Sequence, residues 1–297
     1  MRTAYPGLFD KQTAADDSDE VVSARFSLEK LFAESRLYTK SKDYKDLLDF
    51  VARMPHIAPF NAMLLQVQKP GLKFAASAHD WKVRFGRSPK QWARPLIIMW
   101  PFGPVALVYD ELDTEGKELP RDVRSYYAHG PIDKARIKAF LLRMEGKMIH
   151  SEMIDEGDSR AGRIVVLSRG ETGKDYSHYQ VLINRNHAPS VQFVTIAHEL
   201  GHLFLGHLGG DAKLGIPNRG NKTHSQVELE AESVAYLVCE RNGVTSASET
   251  YLQHYVKENT SVDAVDVCQV MHAAGQIEAL LRLGQKSKFF EESRKRS

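Results

Sequence analysis

Val194-Thr-Ile-Ala-His198-Glu199-Leu-Gly-His202-Leu-Phe-Leu-Gly-His207 sets three histidines and a glutamate inside an apolar run. On an α-helix, His198 and His202 lie four residues apart and project from one face, close enough to grip one ion. Phe193, Ala197, Leu200 and Phe204 form an apolar stripe on about the opposite side. Two imidazoles on an otherwise apolar helix are costly unless something satisfies them. Zn²⁺ suits such a pair, because two protein nitrogens leave positions open for a third ligand and a water. Glu199, next to the first histidine, is then placed to act as general base on that water.

The third ligand has to come from elsewhere. His207 lies five residues past His202, off the ligand face unless the helix breaks at Gly206. Its expected role is that of a polar residue at a helix C-terminus, where its charge suits the dipole. The stronger candidate lies 26 positions beyond His202, in Ser225-Gln-Val-Glu228-Leu-Glu230-Ala-Glu232-Ser-Val-Ala-Tyr. This reads as a second helix with Val227, Ala231, Val234, Ala235 and Val238 towards the core. Glu228 and Glu232 share a face beside that stripe, which suits Glu228 as ligand and Glu232 as the group that orients an imidazole. Glu230 falls about 200° from Glu228 and is expected to face solvent; it is the fallback ligand.

The rest of the chain sets the context. With 297 residues, 42% hydrophobic and 26% charged, it has the composition of an ordinary globular protein divided into two domains. A net charge of +2 gives no global attraction to nucleic acid, so any such binding needs a local patch. Two cysteines, Cys239 and Cys268, without a CxxC, exclude a disulfide framework and a cysteine metal site. No stretch approaches the roughly 20 apolar residues of a membrane span, and the N-terminus lacks a secretory apolar core. A cytoplasmic location is the expectation.

In chain order, residues 1–22 read as a disordered lead-in and residues 286–297 as a flexible tail. Helices are expected within Ser27–Met54, divided near Thr39–Asp43, and from Pro59, a proline suited to a first helical turn. Strands Leu96–Trp100 and Val105–Tyr109 follow. Between Trp81 and Arg94 the residues Trp81, Lys82, Arg84, Arg87, Lys90, Trp92 and Arg94 interleave aromatics with cations and include no acid. Cations track a phosphate backbone and flat rings stack unpaired bases, so this block suits single-stranded DNA; the alternative is buried tryptophans beside a solvated basic loop. Gly116–Gly130 is the candidate linker. An amphipathic helix over Pro131–Met148, strands at Arg163–Ser168 and His178–Asn184, and closing helices Ser246–Val256 and Ser261–Leu283 complete the reading. Ser190 is the expected N-cap of the motif helix.

Two resemblances gather these pieces. Phe60-Asn61, Gln66, Lys69-Pro70-Gly71, Trp81, Gly86-Arg87 and Pro89-Lys90, followed by strands, resemble the N-terminal single-stranded-DNA-binding domain of ArdC-type antirestriction proteins. The pairing of His198-Glu-Leu-Gly-His202 with the Glu228 helix is similar to the ImmA/IrrE metallopeptidases and to the C-terminal domain of ArdC-type proteins. These resemblances imply an α+β protein of two domains. A small α+β module would span 23–125, and a zincin-like, gluzincin-type catalytic domain 131–285, with an HExxH helix, a glutamate helix and a small sheet. They imply His198, His202 and Glu228 as zinc ligands and Glu199 as base, acting on a protein or peptide substrate, with recruitment to single-stranded DNA. The alternative function is a DNA-binding antirestriction or regulatory protein whose zinc is mainly structural.

Overall fold

Residues 38, 40–100, 103–119, 132–155, 161–170, 175–246, 248, 252 and 262–283 are described by the structure, a computed structural model. The lead-in, the first of the two helices expected within Ser27–Met54, most of the linker, the helix expected at Ser246–Val256 except Ser246, Ser248 and Leu252, and the tail lie outside them.

Three sequence patterns explain the N-terminal part. In α1 (Ser41–Ala52), Tyr44, Leu47, Leu48 and Val51 recur at helical spacing and are all buried. In α2 (Pro59–Gln68), proline occupies the first turn, and Gln68 brackets the backbone of Ile97, donating to its O and accepting from its N–H. Helix α3 (Ala78–Phe85) was not expected, although its signals are local: Ser77 caps it by accepting from Asp80 N, and Gly86 ends it in a left-handed conformation, φ 61°. Strands β1 (Ala75–Ala76), β3 (Leu96–Trp100) and β4 (Gly103–Asp110) form an antiparallel sheet in the order β1-β4-β3. A two-stranded ribbon pairs β2 (Arg87–Pro89) with β5 (Thr114–Gly116).

The C-terminal part begins with α4 (Lys134–Glu145), capped by Asp133. A three-stranded sheet follows, in the order β6 (Ile149–Ile154), β8 (His178–Asn184), β7 (Gly162–Ser168). Strand β6 runs parallel to β8 and β7 antiparallel to it. Helix α5 (Pro189–Phe204) packs on β7 and β8, α6 (His224–Glu240) packs on α5, and α7 (Val267–Leu281) packs on both. The N-cap of α5 is Ala188 rather than Ser190, with Pro189 in the first turn. Pro189 has no N–H to leave unsatisfied, so the helix starts there without a side-chain cap.

Helices α1 and α2 pack on α6 and α7, so one apolar core runs from Tyr44 to Leu283. A second, small cluster of Phe74, Trp81 and Phe85 lies under α3. Among the described residues, no helix is long and apolar enough to cross a membrane.

Candidate metal centre

The site is built where α5 meets α6. The two helices touch at Gly201, whose added methyl would meet Ala231 O and Val234 at 3.4–3.5 Å. Thr223 and Gln226 form a reciprocal capping box at the start of α6, which fixes where the helix begins and hence where Glu228 stands. His198 and His202 project together, with their Nε2 atoms 3.0 Å apart. Glu228 faces both, Oε2 lying 3.6 Å from His198 Nε2 and Oε1 3.6 Å from His202 Nε2. One ligand atom from each of His198, His202 and Glu228 lies within 4.8 Å of the other two, near enough together to share one ion. The donor set, two imidazoles and a carboxylate, fits zinc chemically as well. Burial, with His198 and His207 beside it, holds His202 down at about 3, so its ring is neutral and keeps a lone pair.

Glu232 Oε1 stands 3.5 Å from His198 Nδ1, the nitrogen that points away from Glu228. Glu199 sits on the same helix with its carboxyl against β7. Burial pushes it above the ordinary carboxylate range, while His198 and the Ile164 backbone N–H pull the other way. Because Ile164 donates to Glu199, the edge of β7 that faces away from β8 borders the site. His224 stands at the rim of the site, 3.7 Å from Glu228. Arg219 is bonded to Glu230 and Tyr179 to Asp211, while His178 meets His150 on the other edge of the sheet.

Two expectations are corrected. Glu230 does not face solvent: it is 0% exposed. The helical angle was right, but the far side of α6 is covered by residues 205–223 and by the start of α7. Burial alone would raise its carboxyl, yet His207, Arg219 and the Asp266 backbone N–H hold it down at about 2. Glu230 lies outside the group formed by His198, His202 and Glu228. His207 is likewise no surface residue of a helix end. The helix stops at Phe204, Gly206 turns with φ 78°, and the His207 ring is buried between His202 and Glu230. It touches the ligand set without joining it.

The basic-aromatic block divides. Trp81 is 0% exposed, its ring edge-on to Phe74 and its Nε1 donating to Tyr109 O, so it offers no face to a base. Arg87 is spent on Thr114 and Lys117 O, and Arg84 pairs with Asp80. Trp92 is 67% exposed with Lys90 Nζ 5.1 Å from its ring centre, and Lys82 and Arg94 are exposed.

Two histidines of an HExxH helix and a glutamate from the next helix, laid against a mixed sheet, form a group that could hold one metal ion. Residues 156–255 match the family Peptidase_M78, the IrrE N-terminal-like domain, and that span contains His198, Glu199, His202, Glu228 and Glu232. Two solved structures of the antirestriction ArdC protein from the R388 plasmid, one metal-free and one Mn(II)-bound, are similar to this chain. They are 17% and 14% identical with TM-scores of 0.32 and 0.37, and each likeness covers 75% of this chain and 82% of theirs. No curated protein matches.

Proposed function

We propose that the chain is a zinc-dependent peptidase. The observation that carries this reading is a protonatable carboxylate, Glu199, beside a ligand triangle of His198, His202 and Glu228 and against a strand edge. A structural zinc site has no use for a buried base next to its ligand. The match to a peptidase family over this span supports the same reading. Bound zinc would supply Lewis acidity, lowering the pKa of a water and polarising the scissile carbonyl. Glu199 takes the proton from that water and passes it to the leaving amine; its raised pKa suits both transfers. The β7 edge offers backbone groups to an extended peptide. The test is metal analysis together with peptide-library cleavage by the parent and Glu199→Gln. One zinc in both proteins, with cleavage lost in the variant, is expected. Unchanged cleavage by Glu199→Gln would overturn the reading; survival of cellular function in that variant would favour a DNA-binding protein with structural zinc.

Trp92 favours a second role, recruitment to single-stranded DNA. An exposed indole with a lysine over it is a stacking platform of the kind unpaired bases use. Anisotropy titration with single-stranded oligonucleotides at low salt tests it, and no binding would remove it.

A further inference from the structure

The third histidine of the motif is outside the ligand triangle, yet its ring is buried against it. His202 Nε2 faces His198 and Glu228, so a neutral His202 that binds a cation there must carry its proton on Nδ1. Among the described residues that proton has one partner, His207 Nδ1 at 3.1 Å, which must therefore accept. His207 then carries its own proton on Nε2, 2.9 Å from Glu230 Oε2. Glu230 is ionised and can only accept. Its other oxygen takes bonds from Arg219 Nη2 at 2.7 Å and the Asp266 N–H at 2.9 Å, with Lys222 Nζ also at 2.9 Å. Every donor thus meets an acceptor in a single arrangement of protons, and the Glu230 end sets its direction. His198 is served differently, by Glu232 directly.

We propose that His207 and Glu230 are positioning residues that hold His202 in its metal-binding tautomer and ring orientation, with Arg219 and Lys222 anchoring Glu230. The proposal rests on the metal reading above. Residues linked to a metal ligand in this way normally change metal affinity by about 10–100-fold when removed.

The experiment compares two polar replacements in the full chain. His207→Asn places an amide oxygen near the position of Nδ1 and keeps an acceptor for His202. His207→Gln reaches towards Glu230 instead and offers His202 none. Zn(II) affinity by chelator competition and the Co(II) visible spectrum are measured beside the melting temperature of the metal-free proteins. His207→Gln is expected to bind about 10–100-fold more weakly with an altered spectrum, and His207→Asn to stay within a few-fold of the parent. Equal affinities for the two variants, whether parental or both reduced, would overturn the proposal while leaving the metal reading intact. A parent that binds neither ion would fail the metal reading itself, and this proposal with it.

Discussion

Arg241 and Glu278 form a buried ion pair, with Nε 2.6 Å and Nη2 3.1 Å from the carboxylate. The same guanidinium donates to the carbonyls of Val51, Met54, Pro55 and Ile57, tying the end of α6 to the turn between α1 and α2. Arg241→Met strands a carboxylate and four carbonyls at once. Denaturant unfolding should show a loss of roughly 3–5 kcal/mol. The double variant Arg241→Met/Glu278→Met should recover only part, since the carbonyls stay unserved. A single variant within 1 kcal/mol of the parent would show that this junction is not where the helices are held.

At the metal centre, Glu228 and Glu232 are expected to separate by size of effect. Glu228→Gln should weaken zinc by more than about 100-fold, and Glu232→Gln, which acts through His198, by about 10–100-fold. Equilibrium dialysis decides the matter. Parental zinc binding by Glu228→Gln would mean that the third ligand is another residue.

Gly206 turns the chain so that His207 folds back onto His202. Its φ is 78°, and a methyl there would lie 2.0 Å from Pro217 O. Gly206→Ala therefore combines backbone strain with a clash against main chain, for a loss of about 2–4 kcal/mol. Zinc affinity should fall with it. An unchanged melting temperature would refute this account of the turn.

His56 stacks on Phe74, with ring centres 5.5 Å apart. Burial, and Arg241 nearby, lowers it to about 3 from 6.5, so it is neutral in the fold and protonates more readily when unfolded. Its contribution is intact above pH 6.5 and is lost as the pH falls from there towards 3. Between pH 7.5 and 5.5 the parent should lose about 1.4 kcal/mol more than His56→Asn. Parallel pH profiles for the two proteins would dismiss the effect.

The two tryptophans of the basic block should behave oppositely. If single-stranded DNA stacks on Trp92, Trp92→Ala costs about 1–3 kcal/mol of oligonucleotide affinity. Trp81→Phe should change folding stability and leave affinity alone. The reverse pattern would remove the stacking role of Trp92.

The grouping of His198, His202 and Glu228 was legible in the amino-acid order. The pairing of His198 with His202 and of Glu228 with Glu232 follows from helical periodicity, which is a local property and survives whatever surrounds the helix. The strands at Arg163–Ser168 and His178–Asn184 were legible for the same reason, through runs of apolar residues between turns. Helix α3 could have been found too, from Ser77-x-x-Asp80 and the closing Gly86. Strand β6 carried little signal, because His150, Ser151 and Glu152 break any apolar pattern and its place depends on pairing with β8.

Burial was the property that local pattern did not reach. Glu230 reads as a surface residue because it sits in a polar neighbourhood along the chain, and for Trp81 the sequence left exposure and burial both open. Glu230 is enclosed by Arg219 and Asp266, and Trp81 is tied to Tyr109, contacts that only tertiary packing brings together. Helical periodicity gives the angle at which a side chain leaves its helix. Which neighbour waits at that angle, water or an arginine, depends on how distant segments close over it. That closure turned His207 from a helix-end residue into a buried partner of His202.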